Sequence, residues 1–421
     1  MNPSSNYGTP LRIGVFMHDY LPQIGGAQVS AHCLSNSLSV LGQSVTVFAD
    51  HRRVKECHQR GWKFKYAIES VRRVPGFIAT RLPRVGTFCD ARTMANRVVR
   101  HNLDMVQIIV AWPWLAVAPD VKRWTGVPIA VRAAGDDIQV DASLDYGIRR
   151  DPNVGEILRR GFTSVDCGIS ISNTVSKEYA NIGMQAENII EIPPGVDYTR
   201  YDNHHVDRVA VRQKWGIPTD RKIVLSVGRN HPKKGFLDLL SALTVLNRVD
   251  NQFAVVIVGN NSADLLSHAD MLGIKDDFFP LPEMSDPGPG HVNSFPTNEL
   301  IDIYKAADYF VLPSYLETYA NVALEAMTAA IPVIVTDAPG CIETVKDGQD
   351  GLIVPIGAPN KIADSIIMLE QNPELRANLV KGGLAKAKSQ DWDVIASRYL
   401  DVYRSLKKQR QEIKARSGTA L

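Results

Sequence analysis

The chain has 421 residues, about two to four times the usual domain size of 100–200, so one core does not account for it. With 45% apolar and 22% charged residues it has an ordinary globular composition, and its 24 prolines and 30 glycines are spread among apolar runs, which excludes wholesale disorder. Lys plus Arg is 47 against 45 acids, and a net charge of +2 excludes a dedicated nucleic-acid binder, whose affinity rests on phosphate neutralisation.

That balance conceals an asymmetry. Between His51 and Arg100 there are 13 basic residues and only three acids (Glu56, Glu69 and Asp90), a window of +10, so the rest of the chain sums to −8. No apolar stretch approaches the roughly 20 residues that span a bilayer. The start, MNPSSNYGTPLRIGVF, has neither a basic n-region nor a small-residue cleavage site. The five cysteines are odd in number, far apart and without a CxxC pair. A disulfide framework and a structural zinc site are therefore not expected, and a reduced, cytoplasmic protein is.

In chain order, continuous apolar runs predict strands at 12–17, 44–49, 105–110, 127–132 and 165–171. A second series follows at 222–227, 253–258, 308–312 and 332–336. Unbroken apolar runs separated by helical patterns are the mark of parallel strands buried on both faces. Two series predict two doubly wound α/β domains with a boundary near Tyr198–Pro218. The segment Pro280–Pro296 reads as a long loop hanging off the second domain. The tail from Asp391 to Arg416 is helical, with Trp392, Ile395, Tyr399, Val402 and Leu406 on one apolar face.

Three motifs follow strands, where open parallel sheets bind ligands. Gly25–Gly26 precedes a helix at 28–41, a setting for backbone approach to an anion or for a plain turn. Arg229 and Lys234–Gly235 lie between a strand and a helix, a fork and a point charge suited to a diphosphate, with solvated surface charge as the bland reading. In PSYLETYANVALEAM, Glu317 lies in a loop and Glu325 in the following helix, spaced to hold two polyol groups of one ligand. Asn321 reads as the N-cap, leaving the amides of Val322 and Ala323 for an anion. His18, His32, His51, His58 and His101 have no metal-ligand spacing; His231 lies inside the Arg229–Lys234 loop, within reach of a phosphate. Trp112 and Trp114 follow a strand, as core or as an acceptor-stacking surface.

The order Gly25–Gly26, Ser172–Asn173, Pro194–Gly195, Gly228–Arg229, Lys234–Gly235, Pro313–Ser314, Glu317, Glu325–Ala326–Met327, Glu343 and Gly351–Leu352 resembles the retaining glycosyltransferases of family 4. The resemblance runs from about residue 11 to 405. It implies the GT-B fold: two Rossmann-like domains facing a deep interdomain cleft, with the C-terminal helix crossing back to the N-terminal domain. Residues 1–200, completed by 395–421, would form the acceptor side, and 201–394 the domain that binds a nucleotide-diphosphate sugar. Carried over, Arg229 and Lys234 grip the diphosphate, Glu317 the sugar hydroxyls and Glu325 the ribose, while Gly25, Gly26, Asn321 and Val322 lend backbone amides to the phosphates. No metal and no cofactor beyond the donor substrate are implied, and no DxD motif is present. Retention without a nucleophile is consistent with front-face attack, the leaving oxygen taking the acceptor proton.

There are departures. Ala134 stands where many members carry a histidine, which leaves Asp136 or Asp137 to contact the sugar, and Ala320 replaces a glycine. A nucleotide-sugar epimerase of the same architecture, or a non-enzymatic sugar-binding protein, stays open beside a transferase of cell-envelope polysaccharide, lipopolysaccharide or glycolipid synthesis. The acceptor is then a sugar, a small molecule or a lipid-linked molecule. The 51–100 window reads equally as a dock on anionic lipid headgroups at the inner face of the membrane or as a solvated face with contacts to an anionic soluble acceptor.

Overall fold

The computed structural model describes residues 9–74, 83–249, 252–284, 286–292 and 295–417; Arg81 of the basic window and parts of the 280–296 segment lie outside the described residues. The chain divides into two units: Met1–Gly195, Gly288–Ser294 and Trp392–Leu421 form one, Val196–Pro287 and Phe295–Asp391 the other. Within the second unit its first and last residues lie together, the Val196 amide donating to the Gln390 carbonyl at 2.9 Å.

The first unit is built on seven parallel strands: β1 (Arg12–Phe16), β2 (Ser44–Asp50), β4 (Ala67–Val71), β5 (Met105–Ile109), β6 (Ile129–Arg132), β7 (Cys167–Ser170) and β8 (Ile189–Glu191). Their order is β4-β2-β1-β5-β6-β7-β8. A short β3 (Trp62–Lys63) lies outside this sheet. The second unit holds β9 (Lys222–Val227), β10 (Phe253–Val258), β11 (Phe278–Leu281), β13 (Tyr309–Leu312), β14 (Val333–Thr336) and β15 (Leu352–Val354), ordered β11-β10-β9-β13-β14-β15. Interior runs such as FAVVIV are wholly buried because helices cover both faces; the Phe236–Val249 helix sets Leu239, Leu243 and Leu246 against Val224, Val255 and Tyr309.

Strand order reverses between β1 and β5 in one sheet and between β9 and β13 in the other. Such reversals open a crevice at the carboxyl ends of the two diverging strands. The Arg229–Lys234 loop follows β9 and the Glu317 loop follows β13, so the sheet brings two distant motifs to one reversal.

The C-terminal helix, Trp392–Ser417, belongs to the first unit. Trp392, Ile395, Tyr399, Tyr403 and Leu406 are buried, and the Tyr403 hydroxyl donates to Gln107 Oε1 at 2.8 Å in the middle of β5. Val402 of the expected face is only half-buried, because the helix turns Tyr403 inward instead. Gly195 is a close-approach position, since a Cβ there would stand 2.6 Å from the Trp392 ring. The 280–296 segment differs from its expected form. Its β12 (Gly290–His291) pairs with β3, the Gly290 amide donating to the Gly61 carbonyl at 3.1 Å, so these residues belong to the first unit rather than hanging off the second.

Candidate functional site

In the second unit the loops after β9 and β13 are fastened to each other. The Tyr315 amide donates to the Lys233 carbonyl at 2.7 Å, and the Tyr315 hydroxyl to Asp238 Oδ2 at 2.6 Å. Gly235 has φ +62°, and a Cβ there would stand 2.0 Å from the Pro313 carbonyl oxygen. Only glycine combines that backbone with that approach.

This contact carries Lys234 to Glu317. Lys234 Nζ donates to Glu317 Oε1 at 2.6 Å, and Ser314 Oγ donates to the same oxygen at 2.9 Å. Glu317 is only 7% exposed. Burial pushes its carboxyl up, but the charges of Lys234 and Lys233 and the two hydrogen bonds outweigh burial and hold it below the usual value. Its loop is braced from behind: the Ala320 amide donates to Thr344 Oγ1 at 2.9 Å, Thr336 donates to the Ser314 carbonyl, and the Tyr319 hydroxyl donates to Gln390 Oε1 at 3.0 Å. Arg229, on the other loop, is exposed and forms no ion pair among the described residues. His231 Nδ1 accepts from the Lys233 amide at 3.2 Å; burial, with Arg229, Lys233 and Lys234 around it, keeps its imidazole below its ordinary pKa.

Glu325 sits on the Asn321–Thr328 helix and has different surroundings. Burial pushes its carboxyl up to about 7, opposed only by the Tyr304 hydroxyl, which donates to Oε2 at 2.8 Å. Tyr304 reaches it from the separate Asn298–Ala306 helix, whose sequence NELIDIYKA carries no signal of such a role. Its contribution arises from packing alone.

Two expectations are corrected. Asn321 is the first residue of its helix, not the cap; Ala320 stands at the cap position, its amide held by Thr344. The Asn321 amide donates to the Tyr319 carbonyl at 3.1 Å and the Ala323 amide to the Ala320 carbonyl at 2.9 Å, so neither of these two is left over for an anion. Asp137 is wholly buried in the first unit, and its carboxylate accepts from the amides of Ala111 (2.6 Å), Ala134 (3.0 Å) and Gly135 (2.9 Å). It braces its own loop from a fully buried position; Asp136 is the exposed member of the pair.

Gly25 and Gly26 lie in the first unit after β1, with Gly25 as the cap of the Gly26–Val40 helix and no side-chain cap bond. Trp114 is wholly buried, edge-on to Phe16 at 5.6 Å, whereas Trp112 is half-buried. All five cysteines are free thiols, and burial pushes the thiol of Cys341, the one beside Glu317, up to about 12. Among the described residues no three His, Cys, Asp or Glu side chains gather as a metal site. The arrangement offers a fixed cation beside a fixed carboxylate, an exposed arginine on the same loop as that cation, and a second carboxylate on the helix that follows.

Two family descriptions match the chain: Glycosyltransferase Family 4 over residues 24–200 and Glycosyl transferases group 1 over residues 207–386. The D-inositol 3-phosphate glycosyltransferase of Frankia alni is 32% identical over 322 residues, 72% of this chain and 75% of the relative. The GDP-mannose-dependent alpha-(1-6)-phosphatidylinositol monomannoside mannosyltransferase of Mycobacterium tuberculosis is 24% identical over 411 residues, 93% of this chain and 98% of the relative. With other D-inositol 3-phosphate glycosyltransferases, such as that of Acidothermus cellulolyticus (32% identity), the match spans 53% of this chain and about half (49%) of the relative. Among solved structures, Anabaena HepE in complex with UDP superposes with a TM-score of 0.74 at 17% identity, covering 94% of this chain and 100% of that one. WaaG, a glycosyltransferase involved in lipopolysaccharide biosynthesis, gives 0.67 at 18% identity, covering 93% and 99%. Two family matches that together run from residue 24 to 386, on a pair of parallel-sheet units with a returning C-terminal helix, make this chain a member of the family 4 glycosyltransferases with the GT-B fold.

Proposed function

We propose that the chain is a retaining glycosyltransferase that moves a sugar from a nucleotide-diphosphate sugar to a hydroxyl acceptor. The observation that carries this reading is the buried Lys234–Glu317–Ser314 cluster at the strand reversal of the second unit, with the exposed Arg229 on the same loop as Lys234. An ammonium has three donors; with one given to Glu317, the others are available to the bridging and terminal phosphate oxygens. Arg229 adds a planar fork for the same diphosphate. Together they stabilise the negative charge that develops on the leaving nucleoside diphosphate, an effect typically worth roughly 3 kcal/mol per group. Glu317, kept ionised by Lys234, accepts hydroxyl protons from the sugar ring, and Glu325 accepts from the ribose diol. The glycosidic oxygen of the phosphate leaves as the acceptor oxygen arrives on the same face, and the acceptor proton passes to that leaving oxygen.

One relative is GDP-mannose-dependent and one solved neighbour holds UDP, so UDP- and GDP-sugars are the first donors to try, in cell-envelope polysaccharide or glycolipid synthesis. Among the described residues no helix is long and apolar enough to cross a membrane. A lipid-linked acceptor would then be met at the membrane's cytoplasmic face, with the 51–100 basic window toward anionic headgroups. Thermal-shift screening with UDP-, GDP-, ADP- and TDP-sugars, followed by product analysis, tests the reading. A true donor stabilises the fold by about 2.7 kcal/mol at a hundredfold excess over its Kd. Conversion of the donor without an acceptor would assign an epimerase instead.

A further inference from the structure

Part of the 51–100 charge excess is tied up in ion pairs. Arg52 pairs with Asp50 (3.0 Å), Arg60 with Glu56 (2.9 Å), Arg73 with Asp90 (2.9 Å) and Arg97 with Glu69 (3.2 Å). What remains is unevenly placed, and the Pro83–Arg100 helix holds the most ordered part of it. Its outward face presents Arg84, Val85, Phe88, Arg92, Asn96, Val99 and Arg100, all exposed. At 100° per residue these fall on a single arc of about 160°. The helix's one acid, Asp90, is buried on the opposite face and already bonded to Arg73 and the Val74 amide.

The apolar members are as telling as the arginines. Phe88 is 52% exposed and Val99 65%, and Phe88 meets Trp124, 38% exposed on the neighbouring Ala118–Thr125 helix, edge-to-face at 5.7 Å. A soluble polyanion accounts for the cations but gives no reason to leave a phenylalanine, a tryptophan and two valines in water. An anionic bilayer surface accounts for both, because interfacial helices sink aromatic and aliphatic side chains below the headgroups while arginines pair with the phosphates.

We propose that the outward face of the Pro83–Arg100 helix, with Trp124, is an interfacial surface that lies on an anionic lipid bilayer. This rests on the reading of the first unit as the acceptor side, but binding to lipid requires neither donor nor transfer. A chain that binds vesicles and transfers no sugar overturns the enzymatic reading alone; one that transfers sugar and ignores vesicles overturns this one.

The experiment is flotation of the full chain with phosphatidylcholine vesicles, with and without phosphatidylglycerol, at low and high salt. Binding is expected only with phosphatidylglycerol and is expected to fall with salt. The Arg84→Gln, Arg92→Gln, Arg100→Gln triple variant should bind on the order of 100-fold more weakly, since each cation near such a surface contributes about a factor of five. Phe88→Ser should also weaken binding, and brominated lipid should quench wild-type fluorescence but quench Trp124→Phe less. Thermal melting and transfer to a water-soluble acceptor should be unchanged in these exposed-site variants. Absence of flotation, equal flotation of the triple variant, or a dimer in light scattering that Phe88→Ser dissociates would each overturn the proposal, the last by assigning the face to a second copy of the chain.

Discussion

Glu317 and Glu325 stand eight residues apart in one segment, yet the fold gives them opposite electrostatic characters. Glu317 is the more deeply buried, but Lys234 and Ser314 converge on a single oxygen and keep it charged. Glu325 meets one neutral hydroxyl, and burial lifts its carboxyl to about 7. Burial therefore does not decide ionisation by itself; the presence of a charged partner does. One carboxylate is a permanent anion tied to the cation that would face a diphosphate. The other is poised to change charge near neutrality.

The largest expected effect comes from breaking the charged member of the comparison. Lys234→Ala leaves Glu317 buried without its cation, and unfolding by denaturant should show a loss of about 3–5 kcal/mol. Sugar transfer should fall at least 100-fold, by the roughly 3 kcal/mol that a preorganised charge supplies. Adding Glu317→Leu should recover much of the stability and none of the activity; failure to recover stability would show that the pair is not the cause.

Next is acidification. The folded pKa of Glu317 is depressed, so its pairing contributes stability above the unfolded carboxylate range, and that contribution is lost as pH falls through and below it. Glu317→Gln should therefore flatten the acid limb of the stability profile between pH values of about 5 and 3. An unchanged slope in that variant would refute the assignment.

A smaller effect concerns Glu325. Its folded pKa of about 7 lies above the unfolded value, so ionisation costs stability as pH rises from the ordinary carboxylate range to about 7. The anion is the better acceptor for ribose hydroxyls, so the donor KM should fall as pH rises through about 7. Glu325→Gln should abolish that dependence, and a pH-independent wild-type KM would contradict the role.

The smallest is Tyr304→Phe. It removes one hydrogen bond, worth about 1 kcal/mol, so the donor KM should rise roughly fivefold with kcat little changed. The KM–pH midpoint should move upward, because the hydroxyl held the Glu325 carboxyl down. A kcat loss with unchanged KM would give Tyr304 a different task.

Much of this was legible in the sequence because the interior strands are continuous apolar runs and both motifs sit directly after them. Six strands escaped: the two-residue β3 and β12, and β4, β8, β11 and β15. The last four are sheet edges, and the burial of each is broken at one or more positions. An edge such as AIESV or FFPL faces neighbours on one side only, so it tolerates Glu69 or Pro280 and loses the pattern that announces a strand. At the site, residue spacing indicated Lys234, Glu317 and Glu325, but not Tyr304, whose approach depends on how a distant helix packs. Asn321 was misplaced by one position because a cap propensity is a local preference, and here Thr344 and Gln390 hold the preceding residues and set where the helix begins. Asp137 resembled a free carboxylate in sequence only because its three amide partners are invisible there.

The central claim is that the loops after β9 and β13 bind a nucleoside diphosphate. The most direct measurement is isothermal titration of UDP and of GDP into the wild-type chain and into Arg229→Ala, a variant at an exposed side chain with no ion pair among the described residues. The expected result is saturable binding of one nucleotide, weakened at least tenfold in the variant, as for loss of a charge-assisted contact worth about 1.5–3 kcal/mol. Binding of neither nucleotide, or equal affinity in both proteins, would contradict it.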